Sequence, residues 1–460
     1  MCYPFLVPFV KRGKKEEIVK TILKRLSLVM VLVLAFVVPA FADGQQEAAE
    51  ENHVIEFAGF EGAYGRVFWE DLIADFQAEN PDIEVVSFLN PKIGAVMKPR
   101  FLSGDTPDVL YLPQWNKELP PKQLAKEGAI KPLNEFLKGK DYTGTKNFAD
   151  LFAPGIIDTC TINNDKNIYW LPIAYGGLGL WANGGLLKEN GWEVPNTWEE
   201  FFALGEKAKA KGLALFCYPG VYPSYISHSM YAALANLGGL DVLKDLSTYE
   251  EGAYQHPALL KLFKNLQILH DKGYMLDGTF SMNHTQAQTE FLHGRSLFIS
   301  NGTWLQNEMK DIEPVGFEYV YVLPLVEKTG GQRFFEALSE AIWVPTDIEI
   351  EKVERFLKYI YTEKNVVRFA KEAGGLMPVA NVKELTYDHV DTATQSWLTN
   401  VAQDNVNSYQ VQFDTIPSTV TKQPEKELHN CMQAIMAGEL TPEEAIKILS
   451  DLNKEVNAAQ

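Results

Sequence analysis

Residues 103–115 read SGDTPDVLYLPQW and bear most directly on the fold. Turn-forming residues open this stretch, an apolar strand over 109–112 follows, and a polar loop carrying Trp115 ends it. In α/β folds, ligands bind at the loops that follow the carboxyl ends of strands. The indole of Trp115 stands between two amides, Gln114 and Asn116, and an apolar plate beside hydrogen-bonding groups suits a sugar ring. The alternative interpretation is that Trp115 fills a core.

The segments around this stretch alternate between strand and helix patterns. Residues 54–57 and 83–86 predict strands on either side of an amphipathic helix over 67–79. Residues 170–174 and 179–181 predict a further pair of strands, placed where the chain crosses to a second domain. The alternation predicts the α/β class, with doubly wound, mostly parallel sheets and flanking helices.

The second half of the chain predicts mainly helices. Thr197 and Glu200 have the spacing of a capping box, and Thr441 precedes a proline at the first position of the last helix. The roughly 400 residues from residue 53 onwards are more than one hydrophobic core usually contains, so the sequence predicts two domains. No long linker divides them, and we therefore expect several short crossings between the domains. Further helices are predicted over 224–237, 257–272, 284–293, 350–373 and 425–437.

The N-terminal residues predict export. Basic residues precede an apolar run over 26–38, and the sequence PAFA ends at Ala42, so residues 1–42 read as a cleavable signal peptide whose start codon is at Met1 or at Val19. The run is shorter than the about 20 residues that a membrane-spanning helix needs. No cysteine stands near the cleavage site, so no lipid anchor is expected. Residues 43–52 are polar and predict a flexible lead-in to a periplasmic protein.

The charge and the cysteines narrow the class of protein. The chain has a net charge of −18, and removal of the basic signal segment leaves about −23. So acidic a surface argues against nucleic acid and anionic membranes as partners. Cys160, Cys217 and Cys431 permit at most one disulfide and match no zinc pattern, so they are expected to pack as small apolar side chains.

Signatures of catalysis are largely missing. The sequence has no P-loop, no HExxH and no GxSxG motif, so no cofactor and no metal are expected. Paired carboxylates for glycoside hydrolysis remain an open alternative, with Glu56, Glu61 and Glu336 as candidates near predicted strand ends. The competing interpretation for each of the three is a solvated or capping carboxylate.

Aromatic residues at predicted strand ends are the positive signal. Any one of them could fill a core, but several at the same kind of position favour a stacking site for sugar. They are Phe60, Tyr64, Trp115, Tyr175, Tyr222, Tyr225 and Trp304.

Four ordered motifs together resemble the carbohydrate-binding proteins of bacterial ABC importers, the extracellular solute-binding group that includes maltose-binding protein. The motifs are the turn over 103–108, the helix start over 197–200, the segment 291–304 that ends in a tryptophan, and the C-terminal segment 437–445. Within this group the chain is most similar to binders of N-acetylglucosamine and diacetylchitobiose, on residues 62–65, Tyr218-Pro219 with Tyr222, and 334–336.

The resemblance implies two lobes joined by three hinge crossings, with a sugar bound in the cleft between them. The first lobe would comprise 53–170 and 327–376, and the second 171–322 and 383–460. The implied ligand-binding residues are Tyr64, Gln114, Trp115, Asn116, Tyr175, Tyr222, Tyr225, Trp304 and Glu336, with no catalytic residue among them. The protein would be a monomer whose sugar-bound, closed form docks on the permease of an ABC transporter.

Two other classes stay open at this point. One is a secreted enzyme that degrades polysaccharides. The other is a receptor for a non-sugar solute, such as a polyamine held by several carboxylates among aromatic rings, or iron held by clustered tyrosine or histidine ligands.

Overall fold

A computed structural model describes residues 53–460, except residues 63, 115, 163, 164 and 404. The predicted signal peptide and lead-in therefore lie outside the described residues, as does Trp115. Among the helices that are described, none combines the length and the apolar character needed to cross a membrane.

The strands of the described part form one mixed sheet in the order β2-β1-β3-β8-β4-β6-β5, with β7 paired to β4 and β9 paired to β8. Pairing is parallel for β1 with β2 and β3, for β5 with β6, and for β8 with β9. The strands are β1 His53–Phe60, β2 Ile83–Asn90, β3 Val109–Leu112, β4 Leu171–Asn183, β5 Ala214–Cys217, β6 Ser296–Gly302, β7 Tyr319–Val322, β8 Arg333–Trp343 and β9 Val406–Tyr409.

Two long strands, β4 and β8, carry the chain from one part of the sheet to the other. The first half of β4 pairs with β8, and its second half pairs with β6 and β7. The first residues of β8 pair with β9, and its last residues pair with β3. The two strands predicted over 170–174 and 179–181 are therefore one continuous strand, because the glycines between them are extended rather than turned.

Helices cover the sheet and form the rest of the fold. They are α1 Val67–Glu79, α2 Ile93–Ser103, α3 Pro121–Lys126, α4 Asn134–Leu137, α5 Gly184–Asn190, α6 Trp198–Ala210, α7 Ser227–Gly238, α8 Leu240–Thr248, α9 Pro257–Asp271, α10 His284–Leu292, α11 Leu305–Met309, α12 Ile350–Ile360, α13 Glu363–Arg368, α14 Val382–Thr386, α15 Thr392–Val401, α16 Pro424–Met436 and α17 Pro442–Ala459. Strands and helices in this arrangement confirm the α/β class.

The local sequence signals for helices agree closely with the structure. Helix α1 has the predicted bounds, and the capping boxes at Thr197 and Thr441 are both present. The single helix predicted over 350–373 is instead α12, α13 and a π-helical turn at Phe369–Ala373. Thr362 has an extended backbone, so the first helix ends before it and a new one begins.

The turn over 103–108 is structural. Gly104 ends α2 in the left-handed conformation, with φ of 73°, which glycine adopts without steric cost. The buried carboxylate of Asp108 accepts a hydrogen bond from the N–H of Glu56 at 2.8 Å and from Lys352 Nζ at 2.6 Å. Asp108 therefore ties β1 to α12 and fixes the direction in which β3 enters the sheet.

The core consists mainly of two apolar clusters. One packs the sheet against α1, α12 and α15, and it contains Phe57, Trp69 and Trp397. The other packs α7, α8 and α9 against the C-terminal helices. The thiols of Cys160, Cys217 and Cys431 are buried and unpaired, which agrees with the packing role expected of them.

Candidate functional site

A cavity of about 620 Å³ lies where β4 and β8 run side by side. Its lining comes from the middle of both strands, the loop after β3, the starts of α11 and α15, and the segment that links β9 to α16. Ligand-binding cavities of small molecules span about 300–1,000 Å³, so the volume fits a ligand of one or a few rings.

One side of the cavity, here called the tyrosine wall, consists of Tyr64, Tyr175 and Glu340. The ring of Tyr64 packs against Phe369 with 5.0 Å between ring centroids. A Cβ atom on Gly375 would lie 2.6 Å from both of these rings, so only glycine allows this close approach.

Tyr175 reaches the cavity through an irregularity in β4. The register of β4 against β8 shifts between Ile173 and Tyr175, and Ala174 between them has a φ of 57°, which is unusual for a residue with a Cβ atom. A bulge of this kind redirects the following side chain. The Tyr175 ring then meets Trp397 edge-on, with 5.1 Å between ring centroids.

Glu340 is the ionisable group of the tyrosine wall with an unusual proton affinity. Burial raises the pKa of its carboxyl from 4.5 to about 7, although a hydrogen bond donated by the Tyr111 hydroxyl opposes part of the rise. Burial also raises the pKa values of Tyr64 and Tyr175, which therefore stay protonated and able to donate hydrogen bonds. The wall thus offers two hydroxyls and a carboxyl that titrates near neutrality.

Another part of the lining, here called the tryptophan wall, consists of Trp304, Asn307 and Glu308. A Cβ atom on Gly302 would lie 2.3 Å from the indole of Trp304, so the ring rests directly on the end of β6. The indole is partly exposed and meets His228 edge-on, with 5.7 Å between ring centroids. Glu308 Oε2 accepts a hydrogen bond of 2.7 Å from Gln288 Nε2.

A third side of the cavity is a segment without regular structure, residues 410–413. Gln114 Nε2 donates to the carbonyl of Ser339 at 3.1 Å and to Gln410 Oε1 at 3.4 Å, while Gln412 Nε2 donates to Gln114 Oε1. Lys122 Nζ donates to the carbonyl of Gln412 at 2.7 Å. Burial lowers the pKa of Lys122, although Asp414 nearby favours its charged form.

Acidic groups outnumber basic ones around the cavity. Its charged lining residues are Glu308, Glu340, Asp391, Glu425 and Lys122. Within the described part of the chain, no group of three or more His, Cys, Asp or Glu side chains is placed to hold a metal ion.

The structure brings four of the predicted ligand-binding residues together: Tyr64, Gln114, Tyr175 and Trp304 line the cavity. Trp115 is not among the described residues. Asn116, Tyr222, Tyr225 and Glu336 do not line the cavity, and their ligand contacts stay predictions.

One of these residues has evident structural partners, and another is buried away from the cavity. Asn116 Oδ1 accepts hydrogen bonds of 3.0 Å from the N–H groups of Glu118 and Leu119, so its side chain shapes the loop after β3. The side chain of Glu336 is buried, and burial raises the pKa of its carboxyl well above the usual range. Tyr222 and Tyr225 lie beside the tryptophan wall and are described further below.

The three carboxylates considered for glycoside hydrolysis do not meet in the cavity. Glu56 is paired with Arg100 at 2.8 Å and Glu61 with Arg66 at 2.7 Å, and Glu336 is buried in β8. The ion pairs give Glu56 and Glu61 structural roles, which differ from the solvated or capping roles considered for them from the sequence.

Sequence reasoning missed Glu340 and the segment 410–413. Glu340 had a detectable signal, because Ser339 and Glu340 are polar residues within the otherwise apolar run 337–343. A polar pair inside a buried strand calls for a partner or a ligand. The segment 410–413 has no such signal, since it reaches the cavity only through the fold.

Comparison with known proteins agrees with the fold. The chain is 25% identical over 331 residues to the diacetylchitobiose-binding protein NgcE of Streptomyces coelicolor, covering 70% of this chain and 69% of the relative. It is 24% identical to the multiple sugar-binding protein of Streptococcus mutans, over 68% of this chain and 72% of that protein.

Solved structures share the fold. The apo form of RafE from Streptococcus pneumoniae superposes with a TM-score of 0.70 at 19% identity, covering 92% of this chain and all of that one. RafE has also been solved in complex with raffinose. Residues 62–367 match the family described as bacterial extracellular solute-binding protein. Because this match covers well over half of the sequence, the chain belongs to the bacterial extracellular solute-binding proteins.

Proposed function

We propose that this protein is the receptor of a bacterial ABC importer. The receptor captures a mono- or oligosaccharide in the cavity beside β4 and β8 and delivers it to a membrane permease. One observation carries the proposal: the cavity pairs an indole on one side with tyrosine hydroxyls, amides and carboxyls on the others. An apolar ring face binds the apolar face of a sugar, and the polar groups bind its hydroxyls. The loss of a partner for one buried hydroxyl costs about 1–3 kcal/mol, and this cost discriminates between sugars.

Closure around the ligand would occur by bending of β4 and β8 at the point where each strand changes its pairing partner. In this proposal the lobes are those predicted from the sequence, 53–170 with 327–376 and 171–322 with 383–460. Support comes from β4 and β8, which change partners next to the cavity, so a rotation there moves Tyr64 and Glu340 relative to the tryptophan wall. A permease that recognises the closed form would then respond only to the loaded receptor.

The names of the relatives point to a class of sugar. A relative described as binding diacetylchitobiose supports N-acetylglucosamine oligosaccharides as the first ligands to test. The excess of carboxyls over Lys122 around the cavity also disfavours sugars that carry phosphate or carboxylate groups, because like charges repel in a partly desolvated site.

We propose further that binding is not accompanied by catalysis. The catalytic candidates Glu56 and Glu61 are held in ion pairs outside the cavity. Incubation of the protein with chito- and malto-oligosaccharides should give no hydrolysis products by chromatography. Turnover that Glu340→Gln abolishes would make the cavity an active site and overturn this part of the proposal.

The decisive experiment is a thermal-shift screen against mono- and oligosaccharides, because a ligand stabilises the folded state by RT ln(1 + [L]/Kd). The matched variants are Trp304→Ala in the cavity and Trp192→Ala, a partly buried tryptophan that contacts Lys211 and does not line the cavity. A sugar should raise the melting temperature of the wild type and of Trp192→Ala but not of Trp304→Ala. If no sugar in the screen raises the melting temperature, the proposal fails.

A second candidate ligand is a polyamine, favoured by one specific observation. Four carboxyls and a single lysine line a cavity that also contains aromatic rings, and cations bind both carboxylates and ring faces. Spermidine therefore belongs in the same screen. A shift with spermidine and none with any sugar would assign the cavity to the polyamine.

A further inference from the structure

A row of aromatic rings runs from the cavity towards the protein surface. Trp304 in the tryptophan wall contacts His228, and His228 contacts Tyr225 with 4.6 Å between ring centroids. Tyr225 is followed by Tyr222 at 6.3 Å and then by His284 at 5.9 Å. Each ring touches the next, so the row is continuous with the cavity.

Local structure explains why these rings line up. Tyr222, Tyr225 and His228 are three residues apart across the 3₁₀ turn Pro223–Ile226 and the first turn of α7. Residues at this spacing lie above one another on a helical surface. His284 begins α10, which packs beside this turn: the N–H of Val221 donates to the carbonyl of Met282 at 3.1 Å.

Exposure increases along the row. Trp304, His228 and Tyr225 are partly buried, whereas Tyr222 is 42% exposed and its neighbour Val221 is 50% exposed. Burial lowers the pKa of His228 to about 3, so the inner part of the row is uncharged at neutral pH. Ser224 and His284, both exposed, supply polar groups beside the outer ring.

We propose that Tyr222 and His284 form an outer subsite, which binds the sugar units of an oligosaccharide that extend beyond the cavity. The inference rests on the proposed function, since it concerns the same ligand. An exposed tyrosine ring with hydroxyl and imidazole groups around it has the features that make the cavity suitable for a sugar. Its continuity with Trp304 places Tyr222 at the outer end of a row of rings that begins in the cavity, so a sugar chain that leaves the cavity along this row reaches Tyr222.

The subsite gives the protein a preference for ligand length. A sugar short enough to fit within the cavity does not reach Tyr222, and its affinity is independent of that ring. A longer oligosaccharide gains an additional stacking contact, which is worth about three- to tenfold in affinity. Tyr222, which does not line the cavity, thus contributes to binding only when the ligand is long.

The test measures Kd by calorimetry for a series of chito-oligosaccharides, from the disaccharide to the pentasaccharide, with a parallel maltose series. The variants are Tyr222→Ala and, as the matched control, Tyr222→Phe, which keeps the ring. We expect Tyr222→Ala to weaken binding of the longer members about three- to tenfold, to leave the shortest bound member unchanged, and to leave the melting temperature of the free protein unchanged. Tyr222→Phe should bind the whole series like the wild type.

Three results would overturn the inference. If wild-type affinity does not rise with length, or if Tyr222→Ala weakens short and long ligands equally, the outer subsite is wrong while the receptor function stands. If Tyr222→Ala binds every ligand normally but impairs uptake in cells, the exposed ring is a permease contact instead. If no member of either series binds the wild type, the proposed function fails and the subsite fails with it.

Discussion

The two walls of the cavity differ in what lies behind them. The rings of the tyrosine wall are backed by buried core residues, since Tyr64 packs on Phe369 and Tyr175 on Trp397, both of which are almost completely inaccessible. The ring of the tryptophan wall is backed by His228 and by a row that ends at the surface. The tyrosine wall is therefore part of the hydrophobic core. Substitutions in the tryptophan wall, by contrast, should have little effect on the stability of the folded protein.

The two walls also differ in how well water reaches their polar groups. Burial raises the pKa values of Tyr64, Tyr175 and Glu340, so the two tyrosines are neutral, the carboxyl is neutral below about pH 7, and all three groups are poorly hydrated. Glu308 and Asn307 of the tryptophan wall are exposed to solvent. We expect substitutions behind the first wall to lower stability and substitutions on the second to lower affinity.

The largest effect should come from Trp397→Ala. Trp397 is fully buried and contacts both Tyr175 and Phe335. Removal of a buried tryptophan costs about 3–5 kcal/mol of the free energy of unfolding. Chemical denaturation measures this loss, and Trp192→Ala should cost less, because Trp192 is only partly buried at the edge of the second cluster. A loss for Trp397→Ala below about 1 kcal/mol would remove the distinction between the walls.

The next effect concerns Trp304→Ala. Truncation of the central aromatic residue of a binding site costs about 2–4 kcal/mol of binding free energy, which is about thirtyfold or more in Kd. Because the indole is partly exposed, the melting temperature of the free protein should change by only a few degrees. Calorimetry with the best ligand of the sugar screen measures the first quantity and a thermal melt the second. A variant that unfolds readily would show that the tryptophan wall belongs to the core as well.

Some features of the site and of the fold can be predicted from the sequence, because they depend on local patterns. The predicted cavity residues Tyr64, Gln114, Tyr175 and Trp304 all follow or interrupt a strand pattern, so local signals are enough to single them out. The capping boxes at Thr197 and Thr441 are local in the same way. These features depend on residues that are close together along the chain.

The parts that the sequence did not predict depend on distant contacts. Strand β8 was not predicted, and Glu340 on it lines the cavity because β8 pairs with β3 and β4, more than 150 residues away along the chain. The sequence predicts two separate strands on either side of residues 175–178, yet β4 is continuous there; Gly177 lies against the indole of Trp397. No local pattern could have placed these segments side by side.

A moderate effect should follow from Glu340→Gln. The carboxyl has a pKa of about 7 in the folded protein and its ordinary value of 4.5 in the unfolded chain. The folded state therefore holds the proton more tightly, and the stability that this group contributes is lost as the pH rises from about 4.5 to 7. Partial exposure reduces the size of the loss to about 2 kcal/mol. Unfolding measured across this pH range should show the decline in the wild type and not in Glu340→Gln.

A second variant tests the cause of this pH dependence. The hydrogen bond from Tyr111 lowers the pKa of Glu340, so Tyr111→Phe should move the decline to higher pH. An identical pH profile for the wild type and Glu340→Gln would mean that Glu340 is as well hydrated in the tyrosine wall as in the unfolded chain.

The smallest effect concerns Asp391, which precedes the first residue of α15. Asp391 lines the cavity and caps α15, where its Oδ1 accepts a hydrogen bond of 2.7 Å from the N–H of Thr394. The same helix presents Trp397 to Tyr175. Asp391→Ala removes the cap and should cost about 1 kcal/mol of stability, whereas Asp391→Asn keeps a capping oxygen and should cost little. Both variants remove the charge, so any change in ligand affinity that the charge causes should be the same in both. If the alanine variant alone loses affinity, the cap influences ligand binding by holding α15 in position. At Asp391, stability and binding would then not be independent of each other.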